Sequence, residues 1–239
     1  MSRVLILANE HVRRAMAGPA IRCFELSRAL ARAGHEVTLA SPYESDLAAQ
    51  PFALERYDER SLPGLTSAHD AVVVQGWVLD RHPVLSAAAR HVVVDLYDPF
   101  PLELLMLLER EPRATRMLAQ RDALRAVSDQ ALRGDYFLCA SEKQRDFWLG
   151  WLSALNRVNP ITHSADPTLR ELIDVVAFGV PDEPPARSGR PAMRGAIDGV
   201  GDDDLVLLWG GGVYDWFDPE ALVRGVAAAA RDHPQLRLG

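Results

Sequence analysis

Short apolar runs rich in β-branched residues recur along the chain, and between them lie stretches with helical spacing. Arg3–Ala8 (RVLILA), Glu36–Ser41 (EVTLAS), Ala71–Gln75 (AVVVQ), His91–Leu96 (HVVVDL), Tyr136–Ala140 (YFLCA) and Asp174–Ala177 (DVVA) are too short to be core helices. They are also too uniformly apolar to be strands with one wet face, so they read as parallel strands covered on both sides. Phe52–Tyr57 is a further short candidate. Pro19 opens a helix whose apolar positions Cys23, Leu26, Leu30 and Ala33 fall at three- and four-residue steps, and Gly34 closes it. Strand, loop, helix, Gly turn and strand make a βαβ unit. Pro101–Glu109 and Arg113–Leu132 read as helices. Ser141 with Gln144 reads as a capping box, opening a helix that buries Trp148, Trp151, Leu152 and Leu155. The fold class is α/β, a Rossmann-like parallel sheet.

The pattern breaks at 181–204, which is rich in Pro, Gly and Asp and reads as a linker with one short helix. It restarts at Leu205–Trp209 (LVLLW), followed by Gly210–Gly212 and a helix start at Asp218-Pro219-Glu220, with Leu222, Val226 and Ala230 on its apolar face. Gln235–Leu238 resembles a further strand. The expected organisation is a first domain over 1–180, a linker over 181–204, and the truncated opening of a second Rossmann-like domain over 205–239. One βα unit is too little to bury a core, so the chain reads as incomplete.

Composition narrows the function. A formal net charge of -7 argues against a protein held on nucleic acid by bulk positive charge. The two cysteines, Cys23 and Cys139, sit in apolar patterns with no zinc spacing, so buried thiols in a cytoplasmic protein are expected. No run is long enough to span a bilayer, which leaves only peripheral contact at the inner face of a membrane open. Dinucleotide-fingerprint, Walker A, nucleophile-elbow and HExxH motifs are missing. A receiver module would need an acidic pair after the first strand, where Asn9-Glu10 stands instead.

Three stretches together resemble the family 4 retaining glycosyltransferases of the GT-B fold. The first is Gly18-Pro19-x-x-Arg22-x-x-Glu25-Leu26-x-Arg28-Ala29-Leu30, followed by Gly34-His35-Glu36-Val37. The second is Phe178-Gly179-Val180-Pro181, similar to the segment where that family's first domain hands over to its second. The third is Leu207-Leu208-Trp209-Gly210-Gly211-Gly212 with Asp218-Pro219-Glu220-Ala221-Leu222. The resemblance implies a bacterial enzyme of carbohydrate biosynthesis. It would move a sugar from a nucleotide-diphosphate sugar to the hydroxyl of a glycan, lipid or small-molecule acceptor, with retention and with no cofactor or metal. The basic pair and the E-x7-E motif of that family cannot be placed, so the 239-residue chain alone is expected to be inactive. Gln75-Gly76-Trp77 stands where the family often has a histidine.

The chemistry requires stabilisation of negative charge on a leaving diphosphate. Gly18 and Arg22 at the first helix and Gly210, Gly211 and Gly212 in the second domain are the candidate donor-phosphate residues. Asp98, after a central strand, is the catalytic candidate, favoured over Asp95. His11, Pro19, Asp98, Glu142 and Trp216 are candidates for the acceptor side or cleft. The alternative reading is a non-catalytic sugar- or nucleotide-binding α/β protein.

Overall fold

The computed structural model describes residues 1–180, 184–186, 189, 192–214 and 217–239. Two compact units emerge: Met1–Leu102 with Arg113–Gly179, and Glu103–Pro112 with Val180–Gly239.

The first unit is built on a seven-stranded sheet in which every neighbouring pair is parallel. Its strands are β1 (Arg3–Leu7), β2 (Glu36–Ser41), β3 (Ala53–Arg56), β4 (Ala71–Gln75), β5 (Val92–Asp95), β6 (Tyr136–Cys139) and β7 (Ile173–Val175). They lie in the order β3-β2-β1-β4-β5-β6-β7. The direction of winding therefore reverses between β1 and β4. The apolar runs are explained by burial on both faces. Val4 and Ile6 join Ala20, Cys23, Val37, Leu39 and Val73 in one core, while Leu5 and Leu7 on the opposite face are fully buried.

Helix α1 (Gly18–Arg32) lays Ala20 and Cys23 against that first core. It ends in a Schellman motif: His35 N–H donates to Leu30 O (3.1 Å), Gly34 N–H donates to Ala31 O (3.0 Å), and Gly34 is left-handed at φ 89°. The short helices α2 (Leu62–Ala68), α3 (Val78–Arg81) and α4 (Val84–Ala88) add cover, and the sequence reading does not anticipate them. They span only one or two turns, too few to show periodicity. Next come α5 (Phe100–Leu107), α6 (Arg113–Arg133), α7 (Glu142–Ala154) and α8 (Pro160–Ala165).

Two caps differ from expectation. Ser141 Oγ accepts from Gln144 N–H (3.2 Å), but the Gln144 side-chain Oε1 accepts from Ala140 N–H (2.8 Å), so the reciprocal half of the box sits one residue early. The complete capping box is at α8, between Asn159 and Thr162. On α7, Trp148 and Leu152 are buried as expected, while Trp151 and Leu155 are only half-buried. The α6 C-terminus is held by Arg157, which donates to the carbonyls of Ala131 (2.7 Å), Leu132 (3.0 Å) and Gly134 (2.8 Å). A guanidinium satisfies three orphan carbonyls there at the negative end of the helix.

In the second unit, β8 (Leu205–Leu207) and β9 (Leu236–Leu238) pair in parallel around α9 (Pro219–Ala229). Asp218 caps α9, accepting from Ala221 N–H (3.1 Å) in a left-handed conformation that aspartate tolerates. Leu222, Val226 and Ala230 form its half-buried stripe. Pro181, Asp215 and Trp216 lie outside the described residues.

Candidate functional site

All seven strands of the first unit point the same way, so the loops that follow them share one edge of the sheet. Open α/β sheets bind ligands at that carboxyl edge, where the strand order reverses. Here the reversal is flanked by the loop after β1 and by Gln75 at the end of β4 with Gly76-Trp77 after it.

The loop after β1 is pinned by three side chains. Tyr57 OH donates to Ala8 O (3.4 Å), Ser41 OH donates to Glu10 O (2.8 Å), and the Arg81 guanidinium donates to Asn9 Oδ1 (3.0 Å). Burial pushes the Tyr57 phenol up to about 12. His11 is exposed and stacks on Tyr43, with ring centroids 3.8 Å apart. A hollow of about 270 Å³ opens beside the pair, lined by Asn9, Glu10, His11, Arg13, Met16 and Tyr43. A second, of about 150 Å³, lies on the side of Ser41, Glu44, Leu54 and Arg56.

Helix α1 then begins at the same edge. Its N-cap is Ala17, and no side chain caps it. Gly18 is exposed, has an ordinary φ, and has no atom within 4 Å of where a Cβ would stand. Neither strain nor crowding in the chain itself requires glycine there. The first-turn N–H of exposed Gly18 is thus available to an anion at the positive end of a 15-residue helix, while Ala20 is buried. Pro19, half-buried, contributes a carbonyl that accepts from Gln75 Nε2 (3.1 Å), which ties the α1 start to the end of β4. Gln75 Oε1 is buried. The Gln130 amide in turn holds Gly76 O, and Gly76 is left-handed at φ 55°.

Arg22 is turned to a buried carboxylate. Its Nε and Nη2 donate to Asp95 Oδ2 (2.6 Å) and Oδ1 (2.9 Å), and the two side chains are 3% and 2% exposed. The guanidinium also lies under the rings of Tyr97 (5.5 Å) and Phe178 (4.9 Å). This corrects the expectation that Arg22 meets a phosphate, since a bidentate carboxylate occupies the fork that an anion would need. Burial raises the Asp95 carboxyl above the usual carboxylate range, and the Arg22 pairing only partly offsets it. Asp95 is the structural acid of the loop, and Asp98, half-buried, stands further out.

That loop is held from behind. Trp148 Nε1 donates to Leu96 O (2.8 Å) and Gln144 Nε2 donates to Tyr97 O (2.8 Å). Both arise from α7, whose N-terminus shares the edge. Glu142 is exposed and pairs with Arg170 (2.9 Å), which also binds Asp174.

In the second unit Gly210–Gly212 is exposed, and part of its glycine content has a local cause. A Cβ on Gly212 would come within 2.2 Å of the Tyr214 ring, whereas one on Gly211 would make ordinary contact with Trp209 at 3.5 Å. Trp209 Nε1 also donates to Gly212 O (3.2 Å). At Gly210 and Gly211 the chain itself leaves room for a side chain.

Gln75, Tyr97, Gln144, Trp148 and Phe178 position these loops, and none of them is among the site residues expected from the sequence. One signal was legible: Gln75 and Asp95 are polar residues closing apolar strands, and they are register partners. Among the described residues no group of three or more His, Cys, Asp or Glu could hold a metal, and no helix is long and apolar enough to cross a membrane.

No protein-family model and no curated protein matches the chain. Among solved structures it is similar to an alpha-glucosyltransferase in complex with UDP, at 15% identity and a TM-score of 0.39, over 59% of this chain and 36% of that one. It is also similar to a sucrose-phosphate synthase from Thermosynechococcus elongatus, at 10% identity and a TM-score of 0.46, over 75% of this chain and 49% of that one. The chain thus spans about a third to a half of the length of these structures.

Proposed function

We propose that the chain is part of a nucleotide-sugar-dependent glycosyltransferase of the GT-B kind. Its first unit would be the acceptor-side domain and its second the opening of the donor domain. The observation that carries this reading is the uncapped start of α1 at the sheet's switch point, where Gly18 leaves room for a ligand to approach the backbone. The order of the three family-like motifs supports it. In this reading the α1 N-terminus stabilises charge on the leaving diphosphate. The hollow beside His11 and Tyr43 receives the acceptor, and Asp98 meets an acceptor or sugar hydroxyl. Arg22 is a positioning residue that ties α1 to the loop carrying Asp98. Transfer with retention, from donor to a glycan, lipid or small-molecule hydroxyl, follows from the motif resemblance.

Titration calorimetry of the complete protein with a panel of nucleoside diphosphates tests the reading. One diphosphate should bind, and Gly18→Ala should weaken it about tenfold, roughly 1.4 kcal/mol, with the fold intact. No heat with any diphosphate sinks the proposal.

A further inference from the structure

The loop after β1 and Tyr43, just past β2, enclose the hollow of about 270 Å³, and the side chains around it keep unused hydrogen-bonding capacity. Glu10 is half-buried there, while His11, Arg13 and Tyr43 are exposed. Among the described residues, no hydrogen bond or ion pair engages the Glu10 carboxylate, the His11 ring nitrogens or the Tyr43 hydroxyl. Arg13 uses only its Nε, which donates to Ala15 O (3.3 Å). Nearby acids outside the hollow are engaged: Glu44 pairs with Arg56 (3.4 Å), and Asp46 accepts from Arg14 N–H (2.8 Å). Glu10 and Arg13 thus line one hollow without pairing with each other. The wall itself is fixed, because Ser41 holds the Glu10 carbonyl and Arg81 holds Asn9.

This lining selects a ligand class. An anion would meet the Glu10 carboxylate. That charge also reaches the loop carrying Asp98: burial lifts the Tyr97 phenol, and Asp98, Asp95 and Glu10 add to the push. An alkyl chain would find only Met16, Ala15 and Ala17 as aliphatic wall. A sugar ring matches every group. Its hydroxyls donate to Glu10, accept from Arg13 and do either with His11. Its C–H face lies on an aromatic ring, and His11 and Tyr43, stacked at 3.8 Å, hold one another in place. The volume is near the lower end of ligand pockets, about 300 Å³, which suits one ring rather than a long chain. We infer that this hollow is a saccharide subsite in which Glu10 holds a sugar hydroxyl. Its role as the acceptor subsite rests on the transferase reading. Of the acceptor classes left open there, it selects the glycan.

Saturation-transfer NMR of the 239-residue chain with a panel of methyl hexopyranosides tests it, with cyclohexanol as a ring carrying one hydroxyl. At least one hexoside should bind, with a Kd of about 1 mM, and cyclohexanol should bind at least about tenfold more weakly. Glu10→Gln should weaken the hexoside at least about tenfold, through loss of a charged hydrogen bond. It should leave the melting temperature unchanged, since no group of the chain pairs with that carboxylate. Tyr43→Ala should weaken binding similarly, and Tyr43→Phe should retain most of it, because the stacked ring remains. No hexoside binding, equal binding of cyclohexanol, or Glu10→Gln and Tyr43→Ala variants that bind like the parent would each overturn the inference. Diphosphate calorimetry separates it from the transferase reading. Hexoside binding without diphosphate binding keeps the sugar site and sinks only that reading; diphosphate binding without hexoside binding keeps the reading and overturns the sugar site.

Discussion

Arg22 on α1 and Asp95 at the end of β5 form a two-pronged ion pair across 73 residues of sequence, and neither side chain reaches solvent. Removing one partner strands a buried charge. Arg22→Met or Asp95→Asn should each cost about 3–5 kcal/mol. The double variant Arg22→Met/Asp95→Leu should recover much of that loss, since an apolar pair of similar volume needs no desolvation. Urea denaturation of the three variants measures both effects. A double variant no better than the singles would mean that the pair contributes net stability.

Two glycines at the same sheet edge should respond in opposite ways. Gly76 is left-handed at φ 55° and Gly18 is not. Gly76→Ala should destabilise by about 1–2 kcal/mol, the cost of a left-handed Cβ. Gly18→Ala should be neutral or stabilise by up to about 1 kcal/mol, through helix propensity. Thermal melts that show Gly18→Ala as the more harmful would place a structural demand on that position.

Arg157→Ala should loosen the end of α6 by exposing three carbonyls to loss of a charged donor. The expected cost is about 2 kcal/mol. Arg157→Lys should recover only part of it, because an ammonium cannot reproduce the planar fork. Amide exchange confined to the last turns of α6 would locate the effect.

Asp166 sets an acid-range dependence. Its carboxylate accepts from the Thr168 hydroxyl and from the N–H groups of Thr168 and Glu171, which holds its pKa down to about 2. The unfolded value is about 3.9. A depressed folded pKa means that stability is present above the unfolded value and is lost as pH falls through the folded one. Between about pH 4 and 2 the parent should lose stability that Asp166→Asn does not. Carboxyl carbon NMR should show an Asp166 midpoint near 2; a midpoint near 4 would contradict these hydrogen bonds.

The strands were readable because two-sided burial writes itself as a continuous apolar run, as in Val72, Val73 and Val74. Helix α8 was not, since six residues hold less than two turns of periodicity and its signal is the single pair Asn159 and Thr162. The Gly18 corner of the site was legible from its loop-to-helix chemistry. The fate of Arg22 was not, because nothing local encodes a partner 73 residues away. A polar residue closing an apolar strand, as Asp95 does, marks that such a partner exists without saying which it is.

The sheet order also carries a consequence for biosynthesis. Val4 pairs with Val37 on one side and with Ala71 on the other. β1 thus leaves the ribosome before both of its partners, and its second edge stays open until β4 has been made. At about 5–20 residues per second, that edge waits for several seconds. A nascent chain of this kind is most in need of a chaperone before β4 emerges, and slowing translation upstream of Ala71 should lower the soluble yield.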